Sequence, residues 1–114
     1  MPFVRIHAPA DLAPEVQQAL VAEVRTRMGD VLGSRPQVGQ VVLYTAPPYA
    51  RAIHETRDNR FVYVEVLMWS GRPPELKQTL LQELKAVAQR HTGVPAGDII
   101  GVIVESHQEN WAGG

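Results

Sequence analysis

Pro2 is the first residue whose chemistry depends on its place in the chain. The sequence begins MPFVRIHAP, and proline is tolerated at the start or edge of a strand because it has no N–H to donate. If Met1 is removed, Pro2 carries a free secondary amine. Such an amine can act as an acid, a base or a nucleophile, so position 2 has both a structural and a catalytic interpretation.

The other reactive residue types give no recognisable site. The chain has no cysteine, which excludes disulfides, thiolate catalysis and Cys-ligated zinc. The four histidines lack the spacing of metal ligands, and we therefore expect no metal. They are His7, His54, His91 and His107.

Composition narrows the class of protein. The formal net charge is −1 and there is no basic block, so a nucleic-acid partner has no electrostatic support. No apolar run reaches the length of a membrane span, and no secretory signal is visible at the N-terminus. We expect a soluble, cytoplasmic protein without a membrane partner.

The chain contains one pattern twice, with a shift of 60 residues. PEVQQALVAEV at 14–24 aligns with PELKQTLLQEL at 74–84, and both carry apolar residues at helical spacing. Short apolar runs typical of strands flank these segments, at 3–7, 38–45, 61–68 and 99–105. Two copies indicate a duplicated β-α-β unit and not a longer repeat array.

At 114 residues the chain has the length of a single domain. Unit one covers about 2–46, a polar connector about 47–60, unit two about 61–105, and a tail 106–114. Parallel strands with right-handed crossovers predict an α/β (α+β) fold: a four-stranded mixed sheet with two helices on one face. We expect the connector to add an extended or hairpin piece near the sheet edge.

The strands are apolar along most of their length, which indicates that both faces of the sheet are buried. The two helices can cover one face, and the sequence encodes no second layer for the other. A partner subunit is the natural cover, so the sequence predicts an oligomer.

Taken together, these features resemble a known family. The duplicated unit, the MP start, GRPPELKQTLLQEL and the final VIVESHQENWAGG are similar to the tautomerase superfamily. 4-Oxalocrotonate tautomerase is one such unit per chain. The layout here is most similar to fused two-unit members such as malonate semialdehyde decarboxylase and cis-3-chloroacrylic acid dehalogenase. The resemblance implies the tautomerase fold, a homotrimer, a small carboxylate substrate and no cofactor.

The resemblance also implies roles for three residues. The Pro2 amine would be the general base or acid, and burial in an apolar pocket beside a cation would keep it uncharged near neutral pH. Arg72 would bind the substrate carboxylate and stabilise an enolate. Trp111 would form an apolar wall. Antiparallel pairing of the first and third strands would bring Pro2 and Arg72 into one pocket.

Two departures from the specialised members favour the simplest chemistry. Those members carry a second arginine just before the position of Arg72, where this chain has Trp69, Ser70 and Gly71. The decarboxylase also has an acidic residue before its second strand, where this chain offers Gln37 and Gln40, and neither can be a base. We therefore expect a keto–enol tautomerase acting on a small 2-oxo acid or its enol.

Two alternatives stay open. One is a lyase on a three-carbon acid, similar to malonate semialdehyde decarboxylase or to a dehalogenase or hydratase. The other is a non-catalytic trimeric scaffold that binds ligands without turnover. Three further residues are weaker candidates for substrate contact: Arg35, Gln37 and His7.

Overall fold

A four-stranded mixed sheet is the frame of the molecule, seen in a computed structural model that describes residues 2–113. The elements in chain order are β1 (Phe3–Pro9), α1 (Pro14–Leu32), β2 (Gln40–Ala46), β3 (Val62–Trp69), α2 (Pro74–Thr92) and β4 (Ile99–Ser106). The strand order is β2-β1-β3-β4. Pairing is parallel within each β-α-β unit and antiparallel between β1 and β3, which confirms the predicted fold class.

Both helices begin and end by the same local rules. Pro14 and Pro74 open the first turn, where a missing N–H leaves no hydrogen bond unmade. Each helix runs for 19 residues and ends at a glycine with φ of 72°, Gly33 or Gly93. Glycine adopts this left-handed conformation without a Cβ clash, so it stops each helix at the same length.

The core lies between the helices and one face of the sheet. Alternate residues of β3 point into it and are almost fully buried: Val62, Val64, Val66 and Met68. Leucines at helical spacing on α2 meet them, with Leu80 and Leu84 at most 1% exposed. The residues that recur every second position on β3 and at helical spacing on α2 therefore pack into the same layer.

The opposite face of the sheet has no covering layer within residues 2–113. Apolar side chains on both edge strands stay partly open there, with Val42 39%, Tyr44 42%, Ile100 38% and Val104 43% exposed. At the centre, Glu65 accepts hydrogen bonds from Arg5 Nε (3.0 Å) and the Tyr63 hydroxyl (2.9 Å). This face, called the open face below, combines an apolar border with a charged centre.

The sequence predicts an extended or hairpin piece in the connector, and the connector forms neither a strand nor a hairpin of the sheet. A single 3-10 turn spans Pro48–Ala50. Pro47 and Pro48 cannot donate to a strand ladder. The Arg51 guanidinium donates to the carbonyls of Asn59 and Phe61 and lies 3.8 Å from the centre of the Phe61 ring. These contacts use backbone acceptors in the connector and directly after it. Burial of the guanidinium lowers the pKa of Arg51.

The described residues contain neither a helix that could span a membrane nor a cluster that could hold a metal ion. Within 2–113, no helix has the length and apolar character needed to cross a membrane. Over the same residues, no group of three or more His, Cys, Asp or Glu side chains is placed to hold a metal ion.

Tyr63 gives a test of the open face. Desolvation, followed by its hydrogen bond to the Glu65 carboxylate, raises the pKa of Tyr63 above its ordinary value. The folded chain therefore holds this proton to higher pH than the unfolded chain. We expect the contribution to stability to be complete below about pH 10, the ordinary tyrosine pKa, and to be lost as pH rises through the folded value.

Chemical denaturation from pH 8 to 11 measures this effect as the difference between wild type and Tyr63→Phe. The free energy of unfolding of wild type should fall more steeply at high pH. Tyr49→Phe is the control, because Tyr49 is 92% exposed on the connector. Parallel curves for wild type and Tyr63→Phe would show that folding does not raise the pKa of Tyr63.

Candidate active site

Strand register brings the start of β1 to the end of β3. Phe3 pairs with Leu67 in the antiparallel ladder and with Gln40 in the parallel one. Pro2 precedes Phe3, is buried, and its carbonyl accepts a hydrogen bond from the Gln40 N–H at 3.4 Å. Pro2 therefore lies at the end of the sheet where β2 begins and β3 finishes.

A cavity of about 640 Å³ opens at this end of the sheet. Aromatic rings supply much of its wall, and the Gln40 and Gln108 amides are its polar side chains. No charged side chain of residues 2–113 lines it. The lining residues are Pro2, Phe3, Gln40, Trp69, Gln108, Trp111, Ala112 and Gly113.

The C-terminal tail turns back to complete the wall. After β4 a single 3-10 turn spans Gln108–Asn110. Its backbone bonds are Asn110 N–H to the His107 carbonyl (2.8 Å) and Trp111 N–H to the Gln108 carbonyl (3.1 Å). Trp111 follows this turn and lines the same cavity as Pro2, from the opposite end of the sequence.

Two hydrogen bonds tie this tail to the loop that carries Arg72. The Ser70 N–H donates to the Ser106 carbonyl at 3.0 Å, and the Ser70 hydroxyl lies 3.1 Å from His107 Nδ1. Gly71 follows with φ of 120°. Arg72 is half-buried at the next position, at the end of the sheet where the cavity lies, but it is not among the lining residues.

The weaker candidates lie elsewhere. Arg35 and Gln37 are exposed in the link between α1 and β2, where the Gln37 carbonyl accepts from Arg25 Nη2 at 2.7 Å. The His7 ring stacks on Tyr44 of the open face, with ring centres 5.1 Å apart. None of these three lines the cavity, whereas Pro2 and Trp111 both do.

Sequence reasoning missed six of the eight lining residues. They are Phe3, Gln40, Trp69, Gln108, Ala112 and Gly113. The register of two parallel strands, with Phe3 opposite Gln40, places Gln40 beside Pro2, and no local sequence pattern encodes that register. Trp69 is the last residue of β3 and lies on the same end of the sheet.

Comparison with known proteins identifies the family. Residues 40–114 match the sequence model of a tautomerase family, described as "Tautomerase enzyme". The chain therefore belongs to the tautomerase family, which confirms the resemblance. No curated protein sequence matches the chain.

Solved structures share the fold at low sequence identity. The FG41 malonate semialdehyde decarboxylase inhibited by 3-bromopropiolate is 21% identical, with a TM-score of 0.85, covering 98% of this chain and 88% of that one. A fused 4-OT, a symmetric trimer, is 16% identical with a TM-score of 0.88, covering 96% of this chain and 89% of that one. A macrophage migration inhibitory factor-like protein from Entamoeba histolytica is 16% identical with a TM-score of 0.85, covering 99% of this chain and 95% of that one. At such identities the likeness shows the fold alone.

Gly71 is predicted to set the position of the Arg72 loop. Its φ of 120° is rarely adopted by residues with a Cβ, although space is open around it. Gly71→Ala should lower the free energy of unfolding by about 1–3 kcal/mol, because a strained backbone must be held or relaxed. Thermal and chemical denaturation measure the change.

Gly97→Ala is a matched control for this substitution. Gly97 also has open space around its Cα, but its φ lies outside the left-handed range. Gly97→Ala should therefore leave stability nearly unchanged. Equal stability of the two variants would contradict a special role for the Gly71 backbone.

Proposed function

We propose that this protein is a cofactor-independent keto–enol tautomerase that acts on a small 2-oxo acid or its enol. The observation that carries the proposal is the burial of Pro2 in an aromatic-lined cavity. Once Met1 is removed, the Pro2 amine is the proton carrier. It takes a proton from the carbon beside the carbonyl, or from the enol oxygen, and returns it to the other atom.

The apolar wall affects the pKa of this amine. A chain-terminal amine has an ordinary pKa of about 7.7–8.0. Desolvation disfavours the charged ammonium and lowers that pKa. Phe3, Trp69 and Trp111 supply the apolar surface around Pro2. A base with a pKa near working pH is effective in proton transfer, because it is largely unprotonated and still a strong acceptor.

Arg72 is proposed as the carboxylate-binding residue. It follows β3 on the loop tied to the tail, and Trp69, three residues earlier, lines the cavity. A guanidinium can bind a carboxylate through two N–H groups and reduce the charge that develops on an enolate.

A lyase acting on a three-carbon acid is the second candidate. Likeness to malonate semialdehyde decarboxylase structures favours it. Against it, no carboxylate side chain of residues 2–113 lines the cavity to activate water. The volume of about 640 Å³ also falls in the range of sites for larger ligands. Tautomerisation of a 2-oxo acid with an aromatic or extended side chain fits better.

We further propose that the chain works as a homotrimer. The open face exposes Val42, Ile100 and Val104, and a partner copy would remove this apolar surface from water. Fold neighbours include fused 4-OT trimers. A trimer without turnover would instead support the scaffold alternative, and light scattering combined with an activity assay separates the two.

Removal of Met1 should control activity. In a chain that keeps Met1, the Pro2 nitrogen is an amide without a basic lone pair. We expect proton transfer on phenylpyruvate to fall by about 10²- to 10⁴-fold, the usual contribution of a general base. Intact mass spectrometry identifies processed and unprocessed protein, and loss of enol absorbance gives the rate.

Pro2→Ala provides the side-chain control. It keeps a terminal amine but loses the proline ring, so an intermediate rate is expected. Equal rates for processed wild type, Pro2→Ala and the Met1-retaining chain would overturn the proposal. A rate that falls with rising pH would indicate that the amine works as an acid and would favour the lyase.

Loss of Arg72 should weaken substrate binding. Hydrogen bonds to charged groups contribute about 1.5–3 kcal/mol, so Arg72→Ala should raise KM for phenylpyruvate by about 10- to 100-fold. Arg72→Lys should recover part of this loss, because lysine keeps the charge without the planar fork. Arg27→Ala is the control, since Arg27 is exposed on α1. Unchanged kinetics in Arg72→Ala would remove Arg72 from the site.

A further inference from the structure

Two residues of the cavity wall each carry a buried hydrogen-bond donor that has no acceptor among residues 2–113. The indole nitrogens of Trp69 and Trp111 are both covered by protein atoms, and neither has a hydrogen-bond partner among residues 2–113. Both residues line the cavity that contains Pro2. They are also the only two tryptophans of the sequence.

Such donors are uncommon in folded proteins. Most buried polar side-chain atoms find a partner, and an exception calls for an explanation such as a catalytic role or a bound water or ion. An indole N–H is a donor and never an acceptor, so only an electron-rich atom can satisfy it. Both donors belong to residues that line one cavity, so a ligand in that cavity that brings oxygen acceptors is the nearest partner that could satisfy them.

The rest of the lining does not supply these acceptors. The Gln40 and Gln108 side chains have carbonyl oxygens, but neither indole nitrogen bonds to them. A 2-oxo acid carries a carboxylate and a carbonyl, and its enolate concentrates negative charge on oxygen. These are the acceptors that a neutral donor in an apolar site stabilises most.

We propose that the indole N–H groups of Trp69 and Trp111 donate hydrogen bonds to the oxygens of the bound 2-oxo acid. The two tryptophans are then binding residues and not only an apolar wall. The inference rests on the proposed function in one respect, which is that the cavity is the substrate site. It does not depend on whether Pro2 transfers a proton.

The burial of both nitrogens has a consequence for binding. Because they are covered in the free chain, a ligand oxygen can reach them only if the rings turn. Binding should therefore change the surroundings of both rings. The chain has only two tryptophans, so indole signals report on this site and on no other.

The test uses phenylglyoxylate, an aromatic 2-oxo acid that cannot form an enol and so binds without turnover. In ¹⁵N-labelled wild-type protein, both indole N–H signals should move on titration. Replacing either tryptophan by 3-benzothienylalanine exchanges the N–H for sulfur with little change of shape. Each exchange should weaken binding about 3- to 10-fold, as expected for one lost hydrogen bond.

Matched controls separate the sources of the effect. Tyr49→Phe, on the connector, should bind like wild type. Phenylacetate lacks the 2-oxo oxygen, so a loss seen only with phenylglyoxylate assigns the N–H groups to that oxygen. A loss seen with both ligands assigns them to the carboxylate.

Several outcomes would overturn the inference. They are indole signals that stay fixed at saturating ligand, sulfur-containing variants that bind as tightly as wild type, or a loss of trimer without a loss of affinity. No binding of phenylglyoxylate at all would also overturn it. Binding without turnover of phenylpyruvate would overturn the proposed tautomerase and leave this inference standing.

Discussion

The antiparallel pairing of β1 with β3 is the constraint on which the rest of the structure depends. Each β-α-β unit pairs its own strands in parallel, and only this ladder joins the two units into one sheet. Its register, with Phe3 opposite Leu67, brings the beginning of the chain to the end of β3. Pro2 and Trp69 reach one cavity for this reason, although 66 residues separate them.

The same sheet gives the molecule two unlike faces. One face is closed by α1 and α2 over a core of fully buried aliphatic side chains. The other carries the Arg5–Glu65 ion pair at 2.7 Å within partly exposed apolar residues. In the proposed trimer a second copy would remove these apolar residues from water. The ion pair would then have to stay paired, because a buried charge without its partner is costly. Glu65 already accepts from both Arg5 and Tyr63.

The helices and strands could be predicted from local sequence patterns. Proline at the first helical turn and glycine at the left-handed stop predict the ends of both helices. Apolar runs predict all four strands to within about two residues. The connector was harder, because the Arg51 contacts that shape it are made with residues eight and ten positions away. Cavity lining depends on strand register and on the turn after β4, which no local pattern encodes. The unusual backbone at Gly71, next to Arg72, is likewise encoded by no periodic pattern.

The central claim is that burial makes the Pro2 amine a base near neutral pH. Titration of protein that carries ¹⁵N-labelled proline, followed by the shift of the terminal nitrogen, measures it directly. We predict a single ionisation of the Pro2 amine with a pKa below the ordinary range of about 7.7–8.0 for a terminal amine. The rate of tautomerisation should rise through the same pH. A pKa at or above that range, or a Pro2 nitrogen that does not titrate, would contradict it.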